Sequence, residues 1–567
     1  VDLDDFLRPG AQVPLMGMEG QLKVTQALAS AAYRDTSMAG LTEAHERTTI
    51  KPPRIALLEP NLGEAFARAV ELRMLGGGRK EVVQSFGAEP QSVVEHCLAA
   101  NRIRKERDTR LTVMMVVCGL VFLPGALLWL GAFQLRRILL KAEGRAGALG
   151  GVVLVITALF AVLLFLKPPV GGFWGGYLRI MMIPPVIGWF WAKRICERTA
   201  RDLRDRWAGL VAGSGVPAKV PGAVPRNPTE KRAEQLRLNL SKLAAEQSSN
   251  VIFHAGHKGI LGLGESWGRW VMAEELVPRE GKAEINPFRS WDLVKEMEIR
   301  LRELERNAVQ PERKQDPELR QLPTGDVPRP VSQHLRTGGF PKPTVRHWVV
   351  VPVGAGADSI SRPSGPDVEN YTVKDFEIQR ICNEQQFDAG NRHYLGIQFV
   401  LWGGQLVLTV MVSVAVLHHT LNVDVTAYAL GPVIGAFTSA PSPNTKEVAK
   451  GLRFWETKKV QLPLIGTDEV VRLAARAPFT WYPPLLDHFG GKLVLPEPFG
   501  LRHAWANPPW GNPFMADDAR RMVMPVLRAV HAAAVHVMQE NDVLTDKFVD
   551  RSLTLSGIVQ SADTPQA

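Results

Sequence analysis

The chain has 567 residues, a net charge of +10 and four cysteines, with 46% hydrophobic and 22% charged residues. That length exceeds one ordinary core and predicts two or three folding units. The scattered Cys97, Cys118, Cys196 and Cys382 form no C-x-x-C pair and no Cys/His cluster, which argues against a disulfide framework, a metal site or a metal cofactor.

The first residues, "VDLDDFLRPG", are acidic and lack an apolar run, so no cleavable signal peptide is expected. From Asn61 the pattern turns helical, with Leu62, Ala65, Phe66, Ala69 and Leu72 on one face. Val82, Val83 and Phe86, the turn at Gly87, then Val93, Val94, Cys97 and Leu98 imitate a helix-turn-helix. The second helix would run straight into the apolar stretch at Leu111 and leave no room for a duplex, so a helical hairpin is the plainer reading and nucleic acid is disfavoured as a partner. Residues 1–110 are expected to be a mostly helical segment, with the cytoplasmic side favoured.

Residues 111–133, 150–166 and 172–192 are apolar runs near the length of about 20 residues that crosses a bilayer. Basic residues flank them: Arg102, Arg104, Lys105, Arg107 and Arg110 before the first, Arg136, Arg137, Lys141 and Arg145 after it, and Lys193 to Arg206 after the third. Only Lys167 lies in the "KPPVG" loop, so the positive-inside rule puts that loop outside and the 134–149 loop inside. Three full crossings would leave residues 1–100 outside. Pro124-Gly125 near the middle of the first run offers a way out, since proline removes a helical hydrogen bond. A re-entrant hairpin and a kinked full span both remain open, giving two to three transmembrane helices.

Beyond the membrane exit, "RNPTEKRAEQLRLNLSKLAAEQ" opens a helix with Thr229 as N-cap, and "NVIFH" (250–254) reads as a strand. "SWDLVKEMEIRLRELERN" (290–307) is an amphipathic helix. Residues 308–345 hold seven prolines and read as a long exposed loop. "HWVVVPVG" (347–354) reads as a buried strand. Residues 394–402, 405–417 and 421–430 read as an antiparallel β-meander turned at Gly403-Gly404, although the same apolar stretch (394–439) would pass as a second membrane hairpin. Residues 441–514 look loop-rich, 517–541 form a long helix with Pro525 as a kink or late start, and the tail from Gln560 is expected to be disordered.

Two motifs suggest chemistry. Gly264-Glu265-Ser266-Trp267-Gly268 fits the G-x-S-x-G nucleophile elbow, which requires a strand, a sharp turn and a helix around the serine. Too little chain precedes it for a hydrolase sheet, and "RWVMAEELVP" also reads as a strand, so Ser266 is a weak catalytic candidate. The same glycine-rich loop could cradle a ligand through its backbone, with His254, His257, Lys258, Gly262 and Gly264 as candidate ligand-binding residues. His254 and His257 lack a third metal ligand in view. "NPPW" (507–510) resembles the target-nitrogen motif of amino-group methyltransferases, but no βαβ series surrounds it.

The order of the basic-flanked spans, "NVIFHAGHKGILGLGESWGRW" and "RHYLGIQFVLWGGQLVL" resembles that of uncharacterised actinobacterial multi-pass membrane proteins, over most of residues 100–430. The resemblance implies the β reading of the meander and no activity. The expected fold is α+β: an N-terminal helical segment (1–110), a membrane region (111–192), and a cytoplasmic mixed domain (207–567) with a Pro-rich loop at 308–345 and a β-meander at 394–430. The expected function is an integral inner-membrane protein, its partner the lipid bilayer, whose cytoplasmic domain binds a protein partner or small ligand without a cofactor. The alternatives are a membrane-bound serine hydrolase using Ser266 and, if 394–439 is a membrane hairpin, a transporter or channel component.

Overall fold

The computed structural model describes residues 22–38, 41, 49–76, 81–120, 122–141, 146–181, 183–213, 230–256, 259–307, 341–353, 372–384, 390–442, 445–450, 453–461, 463–546 and 548. The expected N-cap at Thr229, the body of the Pro-rich loop and the tail from Gln560 lie outside them. The strands are β1 (Thr49–Lys51), β2 (Val251–His254), β3 (Glu265–Glu275), β4 (Thr344–Pro352), β5 (Arg392–Leu401), β6 (Leu406–Leu417), β7 (Thr420–Leu430), β8 (Thr445–Lys450), β9 (Arg453–Gln461) and β10 (Lys492–Val494). Helices and sheet occur together, so the chain is α+β.

The chain divides into two compact units that are not contiguous in sequence, unlike the continuous domain expected over 207–567. One comprises Val1–Arg79, Pro90–Arg237 and Ile434–Glu497; the other comprises Lys80–Glu89, Leu238–Val433 and Pro498–Ala567.

The second unit is built on a six-stranded sheet ordered β2-β4-β5-β6-β7-β3. Only β2 and β4 run parallel; the other neighbours are antiparallel. The meander is present as β5, β6 and β7, so residues 392–430 form strands of a sheet rather than a helical hairpin. On β7, Leu421, Val423, Val425, Ala427 and Ala429 are buried at alternate positions, the period of a pleated strand. The central β6 is buried almost throughout, because layers cover both of its faces. The first strand reversal, at Trp402–Gly404, uses left-handed backbone at Gly403 (φ 65°), as the Gly-Gly pair predicts.

Two long helices cover one face. Leu293, Val294, Met297 and Leu301 recur at three- and four-residue spacing and carry the Ser290–Asn307 helix onto Leu395, Ile397, Phe399, Val410 and Val412. The Pro513–Glu540 helix packs beside it through Val523, Val526, Val530 and Val537. Asn512 caps that helix by accepting from the Phe514 N–H at 3.0 Å, and Pro513 follows in the first turn, where no N–H is missed. Its start is therefore four residues before the expected 517, and Pro525 lies inside it.

The opposite face is partly covered by Val82–Gly87, Ile260–Leu263 and the Leu501–Ala506 region, through Phe86, Leu263 and Ala506 on Trp348, Val350, Val407 and Met411. The helical-hairpin expectation fails here in its first arm. Val82 bridges to Phe499, and the Val83 N–H donates to the Phe499 carbonyl at 2.9 Å, so 82–86 is extended chain.

The first unit assembles the Lys23–Ala31, Leu62–Leu75, Pro90–Met115 and Ile183–Val211 helices with the shorter Thr467–Arg476 helix. Residues 441–514, expected to be loop-rich, hold this helix, the β8-β9 hairpin, the Pro483–Gly490 helix and β10. Asp468 and Glu469 in its first turn and Arg476 in its last are the signal the loop reading overlooked.

Arginines fill the interior of this unit. Arg104, Arg107, Arg472 and Arg476 are each at most 5% exposed. Arg104 donates to the carbonyls of Ala32 (2.6 Å) and Gly63 (3.2 Å), Arg107 pairs with Asp108 at 2.7 Å, and Arg476 pairs with Glu64 at 2.6 Å. Arg104 and Arg107, read from sequence as basic flanks of the first apolar run, thus point inward. Burial pushes the Glu64 carboxyl up, but Arg476, Arg107, Arg104 and Arg472 outweigh it and hold the group at about 2. Gly63 is what admits Arg104: a Cβ there would stand 2.5 Å from the Arg34 carbonyl and 2.7 Å from the Arg104 Nη2.

The exterior of this unit is unusual in the other direction. Most of the large hydrophobic side chains exposed among the described residues lie between Val113 and Trp191, including Leu163 (62%), Leu166 (64%) and Phe173 (80%). The expected spans are not three unbroken helices. The first breaks between a π-turn at Val116–Leu120 and a new helix, Leu123–Lys141, the two arms bent by 120°; the third breaks between Gly172–Ile180 and Ile183–Val211. Pro124 and the Pro184-Pro185 pair each sit in the first turn of the restarting helix, where the missing N–H costs nothing. Among the described residues, the one unbroken helix long and apolar enough to cross a membrane is Pro513–Glu540, whose apolar face is packed on the sheet and the Ser290–Asn307 helix.

Replacing Glu64 with glutamine keeps its shape but leaves the buried Arg476 guanidinium without its paired carboxylate. Loss of one partner of such a buried set costs about 3–5 kcal/mol, so Glu64→Gln should lower the thermal midpoint of the full chain sharply. An unchanged midpoint would mean that the network contributes nothing net.

Candidate functional site: a polar cleft on the sheet

Successive residues of β4 point to opposite faces of the sheet. Val345, His347 and Val349 face the helices; Thr344, Arg346 and Trp348 face the other way. Register places Thr344 opposite Gln398 on β5, and Gln398 opposite Thr409 on β6. Thr344, Arg346, Trp348 and Gln398, with the Gln84–Gly87 segment, bound a cleft of about 220 Å³, closed at one side by Gln247.

Local structure fixes each wall. Gln247 accepts from the Ser85 N–H at 2.9 Å and donates to the Val83 carbonyl at 3.3 Å. Gln84 donates to the carbonyls of Ser249 (2.6 Å) and Val251 (3.1 Å), tying the segment to the start of β2. Phe86 meets Trp348 edge-on with ring centroids 5.5 Å apart. Trp348 lies flat because β5 carries Gly396 beside it; a Cβ there would come within 2.4 Å of the indole.

Two donors at this cleft are uncommitted. The Ser85 hydroxyl is buried (7% exposed) with no hydrogen-bond partner among the described residues. Arg346 has no carboxylate partner there either. An unsatisfied buried hydroxyl costs about 1–3 kcal/mol. A guanidinium fork, hydroxyls from Ser85 and Thr344, the Gln398 amide and an aromatic wall suit a small ligand with an oxyanion and a flat body.

On the other face of the same strands lies a titratable cluster. His347 Nε2 stands 3.3 Å from Glu298 and its Nδ1 3.0 Å from His393 Nε2, with Trp291 stacked against His347 at 5.2 Å. The carboxylate requires His347 to carry its proton on Nε2, so Nδ1 accepts from His393. Lys295 (2.8 Å) and Arg302 (2.7 Å) complete the shell of Glu298. Burial pushes the His393 imidazole down to about 3, aided by His347. Burial pushes Glu298 up, but hydrogen bonds from Lys295, Arg302 and His347 hold it at about 2. Trp291 and the Ser290–Asn307 helix cover this cluster, which reads as a structural device rather than a site.

The residues singled out from sequence are placed differently. Ser266 is exposed on β3 opposite Tyr428, and strand rather than helix follows it, so the elbow's strand-turn-helix geometry is absent. His254 ends β2, half-buried, its imidazole pushed down by burial and Arg392. His257 and Lys258 lie outside the described residues. Gly262 (φ 90°) abuts Val83 and Gln84, and Gly264 (φ 90°) has the Ala429 carbonyl 2.1 Å from where a Cβ would sit. The loop therefore supports the segment that walls the cleft; its glycines serve close packing. No group of three or more potential metal ligands occurs among the described residues. "NPPW" packs by the Asn507 N–H donating to the Pro432 carbonyl (2.8 Å) and by Trp510 edge-on to Trp267 (5.8 Å). Of the cleft residues, Phe86 and Gly87 had been read from sequence, but as parts of a helical hairpin; Ser85, Thr344 and Arg346 carry no local signal.

The cluster predicts an acid-labile unit. His393 takes a proton near 6.5 when unfolded and only near 3 when folded, so the unfolded chain binds more protons between those values. Its contribution is complete above about pH 6.5 and lost as pH falls toward 3, at up to about 1.4 kcal/mol per pH unit. Glu298 adds a second loss below its unfolded value. Thermal unfolding from pH 7 to 4 should show this slope, and His393→Gln should flatten it; an identical slope in the variant would remove His393 as its source.

The sequence pattern of the AbeC-like domain family matches residues 269–566, which include Thr344, Arg346, Trp348, Gln398 and the Glu298–His347–His393 cluster. No curated protein and no solved structure matches the chain, so the resemblance to actinobacterial membrane proteins rests on the quoted stretches alone. With more than half of its length in that match, the chain belongs to the AbeC-like domain family.

Proposed function

We propose that the protein is an integral inner-membrane protein whose mixed α+β unit lies in the cytoplasm and binds a small oxyanion-bearing ligand at the Ser85–Arg346 cleft. The observation that carries the membrane part is the concentration of exposed apolar side chains between Val113 and Trp191. In water such a surface would be an aggregation liability; in hydrocarbon it is solvated. The sharp bend after the π-turn supports a re-entrant first segment that returns to the side it entered. Lys105, Arg110, Arg194, Arg198 and Arg201 remain exposed at the ends of the apolar helices, and their excess over the lone Lys167 supports a cytoplasmic placement of these flanks.

An alkaline carbonate wash tests the membrane part: the full chain should stay in the membrane pellet, and release into the supernatant would sink it. For orientation, an impermeant maleimide applied to intact cells should label Lys167→Cys and spare Arg201→Cys until permeabilisation; the reverse pattern would invert the topology. For the ligand, inorganic phosphate serves as probe. It should raise the melting temperature of the detergent-solubilised chain, with the rise abolished by Arg346→Met and by Ser85→Val. An equal rise in both variants would place the anion elsewhere.

A further inference from the structure

The six-stranded sheet ends in two edge strands, β2 and β3, and the chain treats them differently. The outer side of β2 is covered: the Leu261 N–H donates to the Phe253 carbonyl at 2.8 Å, and the Gln84 amide donates to the Val251 carbonyl at 3.1 Å. β3 is eleven residues long and, among the described residues, pairs only with β7.

Residues along an antiparallel strand turn their backbone groups to alternate edges. The Leu276 N–H donates to the His419 carbonyl (2.6 Å), on the β7 side, whereas the Val277 carbonyl accepts the Leu544 N–H (2.9 Å), on the outer side. No register shift falls between Gly268 and Glu275, so Arg269, Val271, Ala273 and Glu275 direct their N–H and C=O groups outward. All four residues are exposed, and no strand of the described residues meets them on that side. Edges of this kind are usually guarded by a bulge or by free charges. Here the bulge lies at Ser266–Gly268, outside the open stretch, and Arg269 is held by Asp424.

The chain itself shows what this edge accepts. Val543 bridges antiparallel to Pro278, and the Arg279 N–H donates to the Asp542 carbonyl at 2.8 Å, so residues 542–544 lie along the continuation of β3. The chain then turns away, the Phe548 N–H donating to the Thr545 carbonyl at 3.0 Å. Seven residues of edge, 269–275, remain. Donors and acceptors that repeat every second residue, about 7 Å apart, are complemented by an extended backbone and not by a compact ligand. A second copy of β3 fits poorly. Antiparallel self-pairing about Val271 or Met272 drives the start of the second strand onto Val277, where Leu544 sits; self-pairing about Trp270 sets Glu275 against Glu265. The side chains of the open stretch divide by face: Trp270 and Met272 are buried toward the helices, and Glu275 is exposed with no ion-pair partner among the described residues.

We propose that residues 269–275 are a docking edge for an extended segment of another polypeptide. It adds to β3 in the antiparallel direction that residues 542–544 already take, cationic opposite Glu275 and apolar on the side of Trp270 and Met272.

The test uses the detergent-solubilised full chain, the synthetic peptide KVTITVE as probe, and amide hydrogen exchange read residue by residue. In the chain alone, the Val271, Ala273 and Glu275 amides should exchange fast and those of Met272 and Glu274 slowly. The peptide should slow the fast set. Methylating the peptide nitrogens of its two threonines, which face β3 in this register, should weaken binding about 30-fold, the factor for two hydrogen bonds of about 1 kcal/mol each. The charge-reversed peptide EVTITVK should bind about three-fold or more weakly. Val271→Pro removes an outward donor and no bond to β7; it should abolish the peptide's effect while the Met272 and Glu274 amides stay slow, which shows that the sheet is intact. No slowing at millimolar peptide, or equal binding of the methylated form, would overturn the docking edge. An outward set already slow in the chain alone would overturn it too. Release of that set by ending the chain at Phe548 would assign the edge to the chain's own last residues, and release by dilution would assign it to a second copy.

Discussion

The pleat of the six-stranded sheet is the constraint on which the mixed unit depends. Because side chains alternate between faces, β4 serves two layers at once: Val345, His347 and Val349 go to the helices, while Thr344, Arg346 and Trp348 line the cleft. A register slip of one residue would exchange these sets, burying a guanidinium under the Ser290–Asn307 helix and exposing the histidine pair. The register is held by the bulk of Leu395, Ile397 and Phe399 on one face and by the close fit of Trp348 over Gly396 on the other. The cleft is therefore a by-product of the same alternation that builds the core.

The other unit follows a different rule. Its interior holds guanidinium groups paired to Glu64, Asp108 and Glu469 or bonded to backbone carbonyls, and its exterior over 113–191 is apolar. Arginine suits this work because it stays charged when buried and its planar fork satisfies several acceptors at once. The network links residues far apart in sequence, 64 with 476 and 59 with 472, which is why Ile434–Glu497 belongs with the N-terminal helices rather than with the sheet that precedes it.

Much of this was legible in the residues themselves. The helix over 290–307, the alternation of β7 and the Gly-Gly turn are local patterns, and each produced the element its period predicts. The G-x-S-x-G motif was legible too, but a motif states only residue types. Whether strand or helix follows Ser266 depends on the pairing with β7, which is non-local. The 82–86 segment misled for the same reason: Val82, Val83 and Phe86 fit a helical face, yet their partners are Phe499 and Trp348, and the bonds they make there outweigh a short helix's weak propensity.

The sequence by itself determined the elements whose burial is periodic along the chain, the break at Pro124, and the long run of apolar residues that ends in basic flanks. Only the tertiary structure decided what meets what: that Arg104 and Arg107 turn inward, that the glycines at 262 and 264 serve packing, and that Ser85 joins Arg346 across more than two hundred residues of chain. The physical reason is that local periodicity is encoded in neighbours a few residues apart. A charge, a hydroxyl or a glycine acquires its role from groups brought to it by folding, and one sequence taken alone does not name those groups.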